Sequence, residues 1–451
     1  MKRTLTGCRA WLGLMSWLAL GLWSAALPVR AAEPPPAPAW THGDDEYYSW
    51  LRTCMFRLER DLPQITLTAE QAARRFVQED YVLGLYGDAG LASEGAGRSG
   101  GMMRLRYMPN PQRVTKTVVV FALREERWAQ DLADAAAFRQ QGNYVIAVAR
   151  QPLLDKAAQE GAKFDATIDN HAAYHGGLFQ AEDGTWVVPT DPTANAVVVW
   201  VWTGEFVAAC TRLGQMPTMY LGAAVPGFAE RTKPLSALKF HVKKPVPVAR
   251  YWVARAFLQR MRADLEVVRA KETDNLRAVA TVAATSRTAG KHLYTFVHGH
   301  AVLRQLGCAH DPSYFQQINK DWFHQKDEIV LQPGDFVFSV GFSQIFAGEQ
   351  FGYFAENARQ RGATLAWSFT DYYPADVAKL ALGEIYVNQH WAFGDAVVQL
   401  PGYDVRILPT SGVLSEAIYW MTNAELHEIL QARRSFAGWK QPPPPPPPAK
   451  P

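Results

Sequence analysis

AAAFRQQGNYVIAVAR (135–150) and YFAENARQRGATLAWSF (353–369) decide the architecture. Each is a helical run closed by a glycine, Gly142 or Gly362, and followed at once by an apolar stretch suited to a strand. Glycine serves as a helix C-cap because it enters the left-handed conformation without a Cβ clash. The two glycines lie 220 residues apart. Other landmarks keep that spacing: Pro189–Thr190 with Pro409–Thr410, Trp200 with Trp420, and Glu205 with Glu425. An ordered set of coincidences at one offset marks an internal duplication. The earlier stretches YVLGLYGDAG (81–90) and HLYTFVHGHA (292–301) match more loosely, at an offset nearer 212.

Working outward, each copy reads the same way. A leading helix (Ala69–Gln78; Val253–Val282) precedes a strand that ends in a Gly-containing loop (Val82–Gly90; Leu293–His300). A second strand (Thr117–Leu123; Asp335–Val340) enters the helix closed by Gly142 or Gly362. A third (Tyr144–Ala149; Thr364–Phe369) and a short fourth (Ala166–Asp169; Glu384–Val387) follow, and the last helix starts after the Pro-Thr pair. Strands that are apolar throughout and alternate with helices predict parallel sheets covered on both faces.

The 451 residues, 48% hydrophobic and 20% charged, exceed one compact core and exclude a disordered chain. Residues 1–31 read as a signal peptide: Lys2, Arg3 and Arg9, then an apolar run from Trp11 to Leu27, then Val29 and Ala31 before the cleavage point. The run is short for a membrane span, so no stable insertion is expected after cleavage. The leader carries four basic residues and no acids, so its removal takes the formal charge from +3 to −1. A near-neutral chain has no electrostatic case for nucleic acid. Cys54, Cys210 and Cys308 remain, too widely spaced for a zinc motif, so no metal site is expected and at most one disulfide is possible. The layout is therefore a signal peptide (1–31), a Pro-rich spacer and leading segment (32–59), a first domain (60–231), a linker (232–249), a second domain (250–432) and a Pro-rich tail (433–451). Seven consecutive prolines, Pro442 to Pro448, make the tail an extended polyproline segment.

Both copies resemble SIS (sugar isomerase) domains, in the branch of bacterial phosphosugar-binding proteins. The first carries DATIDNHAAYHGGLF (165–179) and MPTMYLGAAVPGFAER (216–231). The second carries GDFVFSVGFSQ (334–344), HWAFGDAVVQLPGYDVRILPTSG (390–412) and VLSEAIYW (413–420). The resemblance implies two flavodoxin-like three-layer (αβα) SIS domains with parallel sheets, paired as an intrachain pseudo-dimer. It further implies a ligand at the domain interface: a carbohydrate derivative, held by hydroxyls and backbone N–H groups in the turns after the first two strands.

Those turns depart from the family pattern. After the second strand, copy one has ALREER (122–127), with no hydroxyl and two carboxylates that would repel phosphate. Copy two has SVGFSQ (339–344), which keeps Ser339 and Ser343. Its first loop is His298-Gly299-His300-Ala301, with alanine where the family implies serine. Pro409-Thr410-Ser411-Gly412 is the best anion candidate, with Arg406 close behind and unpaired N–H groups in the first helical turn; helix capping is the plainer role for Thr410 and Ser411. His171 and His390 follow the fourth strands, each after an amide residue, where open α/β sheets bind ligands.

The expected site is thus Gly299, Ser339, Ser343, His390, Arg406, Thr410 and Ser411, with His300 or Glu416 as the acid/base if there is catalysis. Three functions stay open: an exported binder of phosphosugar-like carbohydrate derivatives with degenerate sites, an aldose–ketose isomerase, or a scaffold without ligand. No cofactor is expected, and homo-oligomers are compatible with the pattern. Export places the mature chain in the periplasm or outside the cell, away from most phosphosugars, which weighs against the first two readings; of those two, binding is favoured over catalysis.

Overall fold

The computed structural model describes residues 42–108, 114–181, 183–222, 227–298, 314–317, 331–341, 355–371, 377, 380–391, 396–403 and 406–434. The leader, Cys308 and the proline run lie outside the described residues.

Two long helices open the chain, α1 (Gly43–Arg60) and α2 (Leu62–Gln78). Pro63 separates them, because its ring and missing N–H cannot continue α1. The first sheet then collects β1 (Val82–Tyr86), β2 (Leu105–Tyr107), β3 (Thr117–Ala122), β4 (Tyr144–Ala149) and β5 (Ala166–Asp169). Between them run α3 (Ala89–Gly95), α4 (Trp128–Gln140) and α5 (Gln151–Gln159). An antiparallel hairpin, β6 (Gly177–Gln180) and β7 (Trp186–Pro189), leads into α6 (Asp191–Arg212). A short helix, α7 (Phe228–Thr232), follows before the chain crosses over.

The second unit repeats the plan. Its leading helix α8 (Trp252–Thr288) runs unbroken for 37 residues, with no proline at the position of Pro63. The sheet is β8 (Leu293–His298), β9 (Gln316–Gln317), β10 (Phe336–Gly341), β11 (Thr364–Phe369) and β12 (Ile385–Asn388). The hairpin β13 (Ala396–Gln399) and β14 (Arg406–Pro409) precedes α9 (Ser411–Arg434).

Both sheets are parallel throughout, ordered β2-β1-β3-β4-β5 and β9-β8-β10-β11-β12. In each unit that is the order 2-1-3-4-5 of the flavodoxin-like doubly wound fold. The α/β class and two units of the same strand order are therefore observed in the topology itself. The short second strands, the hairpins and α1 are additions that the strand pattern did not announce. The strands among them, of two to four residues each, give too little periodicity to register.

The pairing of the units is reciprocal. Each leading segment packs half on the last helix of its own unit and half on that of the other: α2 on α6 and α1 on α9, then α8 on both α9 and α6. Glu205 of α6, wholly buried, accepts the Tyr251 N–H at 3.0 Å at the start of α8. Glu425 of α9 accepts the Gly43 N–H at 3.1 Å at the start of α1. Each last helix thus caps the other unit's leading helix, the isologous logic of a two-fold dimer written into one chain. One continuous apolar core contains Leu51 of α1, Phe206 of α6, Met261 of α8 and Ile418 of α9. Cys54 and Cys210 are free thiols within it, and burial pushes both well up from the ordinary thiol range.

Candidate functional site

The chain beyond β5 and β12 turns back through a residue in left-handed backbone, His171 (φ 56°) and His390 (φ 52°). Neither is glycine, so the turn is strained and must be held. It is held identically in the two units. The backbone N–H of His171 donates to Asp169 Oδ1 and that of His390 to Asn388 Oδ1, both at 2.9 Å. Each ring then reaches the leading segment of its own unit: His171 Nε2 lies 2.7 Å from Asp61 Oδ2, and His390 Nε2 lies 2.7 Å from Glu272 Oε1. A second carboxylate, Asp169, stands 2.9 Å from His171 Nδ1. Burial opposes charge on His171, yet the two aspartates outweigh it and raise its pKa above the ordinary histidine value. Burial likewise works against Asp61 and Glu272, but hydrogen bonds from the histidines hold both carboxyls below their usual range. These pairs lock the last strand to the leading segment.

The residue before each histidine marks where the units part. In unit one, Asn170 Nδ2 donates to Asn195 Oδ1 at 2.9 Å, and Asn195 donates to Asp88 Oδ1 at 3.2 Å. Burial pushes the Asp88 carboxyl up to about 6. Arg150 bonds Asp191 at 2.6 Å and also Glu125. Gly90 sits so close to α6 that a Cβ there would fall 1.9 Å from the Pro192 carbonyl oxygen. Thr190 Oγ1 does not cap α6; it accepts the Ala173 N–H and donates to Gly176 O. The mouth of unit one is filled by its own pairs.

In unit two the corresponding groups are neutral. Gln389 Nε2 donates to Gly341 O at 2.7 Å and to Ser368 O and Oγ, while Gln389 Oε1 accepts from Ser415 Oγ and Trp391 Nε1. Ser339 of β10 and Ser368 of β11 stand where β3 and β4 place Phe121 and Val148. Both serines are fully buried. Ser339 Oγ has no hydrogen-bond partner among the described residues. Burying a hydroxyl unpaired costs about 1–3 kcal/mol.

The other predicted residues fall as follows. Thr410 and Ser411 are buried at the start of α9, and a carboxylate already lies against that turn: a Cβ on Gly412 would fall 2.2 Å from Glu94 Oε1. Glu94 comes from α3 of unit one and accepts from Trp200 Nε1 at 2.9 Å and Arg98 Nη2 at 3.0 Å. Arg98 Nη2 also reaches Ser411 Oγ at 3.4 Å. Arg406 begins β14 with its side chain exposed. Glu416 is buried, accepting from Trp420 Nε1 at 2.9 Å. Gly299, His300 and Ser343 lie outside the described residues. Sequence reading missed Asp61 and Glu272, whose partners lie far along the chain, and the Glu94–Arg98 pair, which meets Trp200 and Ser411 far along it. The only trace was the equivalence of His171 and His390.

The chain matches no family model and no curated relative. Solved structures similar to it include the C-terminal domain of glucosamine-fructose-6-phosphate aminotransferase from Francisella tularensis (9% identity, 85% of this chain and 96% of that one, TM-score 0.44). Two others are tagatose-6-phosphate ketose/aldose isomerase from Escherichia coli (12%, 90% and 97%, 0.43) and glucosamine-6-phosphate deaminase from Thermotoga maritima (8%, 85% and 97%, 0.41).

Proposed function

We propose that the protein is an exported carbohydrate-derivative binding protein in which only the second unit receives ligand, at the C-terminal ends of β10, β11 and β12. The observation that carries this is Ser339, a fully buried hydroxyl in an otherwise apolar strand with no hydrogen-bond partner among the described residues, where unit one has Phe121. Ser368 on the next strand, where unit one has Val148, is tied to Gln389. A buried polar group without a partner is expected where a ligand completes it. Unit one, closed by Arg150, Asp191 and Glu125, serves as the structural half. Glu94 already supplies negative charge to the first turn of α9, so a ligand phosphate would sit at the end of β10 and a hydroxyl or amino group would face α9.

Thermal-shift and titration calorimetry of the mature chain against hexose phosphates and amino sugars test this. The expected result is a raised melting temperature for at least one of them. Ser339→Ala should lower that ligand's affinity at least about tenfold, the factor that 1.4 kcal/mol represents. A flat response to the whole panel would sink the reading.

A further inference from the structure

The two caps that lock the units together differ in a way capping does not require. At the start of α8, Glu205 alone meets the backbone, with Thr66 Oγ1 donating to it at 2.7 Å. The flanking residues there are Arg250 and Trp252. At the start of α1 the corresponding flanking residues are His42 and Asp44. His42 Nδ1 lies 3.0 Å from Glu425 Oε1. Asp44 is wholly buried. Its Oδ1 accepts from Arg277 Nε and Nη2 at 3.2 and 3.1 Å, and its Oδ2 has no hydrogen-bond partner among the described residues. One ligand atom each from His42, Asp44 and Glu425 lie within 4.8 Å of one another.

Two buried carboxylates facing each other repel unless something positive stands between them. Arg277 serves Oδ1 of Asp44 and also pairs with Asp45, which leaves Asp44 Oδ2 without a paired cation among the described residues. We propose that His42, Asp44 and Glu425 bind a divalent transition-metal ion of the zinc class, which clamps α1 of the first unit to α9 of the second. One imidazole nitrogen and two carboxylate oxygens form a donor set suited to zinc or manganese. Metal–ligand distances of about 2.0–2.2 Å need only a small contraction of the cluster. Water completes the coordination on the side where the His42 side chain is 40% exposed. Arg277, bonded to the non-ligating oxygen of Asp44, orients that carboxylate as outer partners of metal ligands do. Because the ligands come from both units, the ion strengthens their union.

The test uses the whole mature chain, stripped with EDTA and dialysed against micromolar Zn2+ or Mn2+. Metal analysis should find one equivalent per chain, and the melting temperature should rise on loading. His42→Ala, at a partly exposed position, should remove the equivalent and the thermal gain, whereas Glu205→Gln at the other cap should keep both. Asp44→Asn should behave as His42→Ala wherever it folds. No bound metal in the wild-type chain, or binding that His42→Ala leaves untouched, overturns the assignment.

Discussion

His171 shows how much work a single side chain can do at a strand end. Its backbone is left-handed, its ring spans two aspartates, and those carboxylates favour the imidazolium. A histidine whose folded pKa is raised adds stability that is complete below the ordinary value of 6.5 and is lost as pH climbs through the folded value. Asp61, held low, adds stability above its ordinary value of 3.8 and loses it on acidification. Melting temperature should therefore fall more steeply above pH 6.5 in the wild-type chain than in His171→Gln; parallel curves would contradict the assignment. Lys116 gives a second residue-scale prediction. It is exposed at φ 50°, where the second unit has Gly334 at φ 86°. Lys116→Gly should raise stability by about 1 kcal/mol through relief of left-handed strain, read as a shift in the denaturant midpoint. The equivalence of His171 with His390 was legible in the sequence. Their carboxylate partners were not, because the Asp61–His171 and Glu272–His390 pairs close loops of more than a hundred residues.

At the scale of elements, helices and central strands followed from periodicity and glycine stops, and their order followed from the repeat. Gly142 and Gly362 both adopt positive φ, as C-caps should. What escaped was the exchange of leading helices. Gly43 and Glu425 carry no local sign that they meet, yet a Cβ at Gly43 would fall 2.2 Å from the Ala424 carbonyl oxygen. Gly43→Ala should consequently destabilise the chain by about 1–3 kcal/mol, the range for overpacking a tight contact. The same substitution at Gly161, whose added Cβ meets nothing within 4 Å, controls for space and isolates the backbone cost of its positive φ. Chemical denaturation of both variants would separate the two effects. If Gly43→Ala were neutral, the helix contact would be looser than described.

For the whole molecule, the architecture is two units of one topology, joined through their leading and last helices and told apart by a few residues. Unit one spends its strand-end polar groups on internal pairs, and unit two buries Ser339 and Ser368 where unit one has Phe121 and Val148. That asymmetry was partly legible: ALREER (122–127) against SVGFSQ (339–344) already set carboxylates against hydroxyls. The Glu94 carboxylate lying on α9 could be seen only once the two units were placed together. Because the principal core includes α1, α6, α8 and α9, neither unit has a complete interior of its own. Differential scanning calorimetry of the protein tests this interlocking most directly. One transition with equal calorimetric and van 't Hoff enthalpies is predicted, and two resolved transitions, one for each unit, would contradict it.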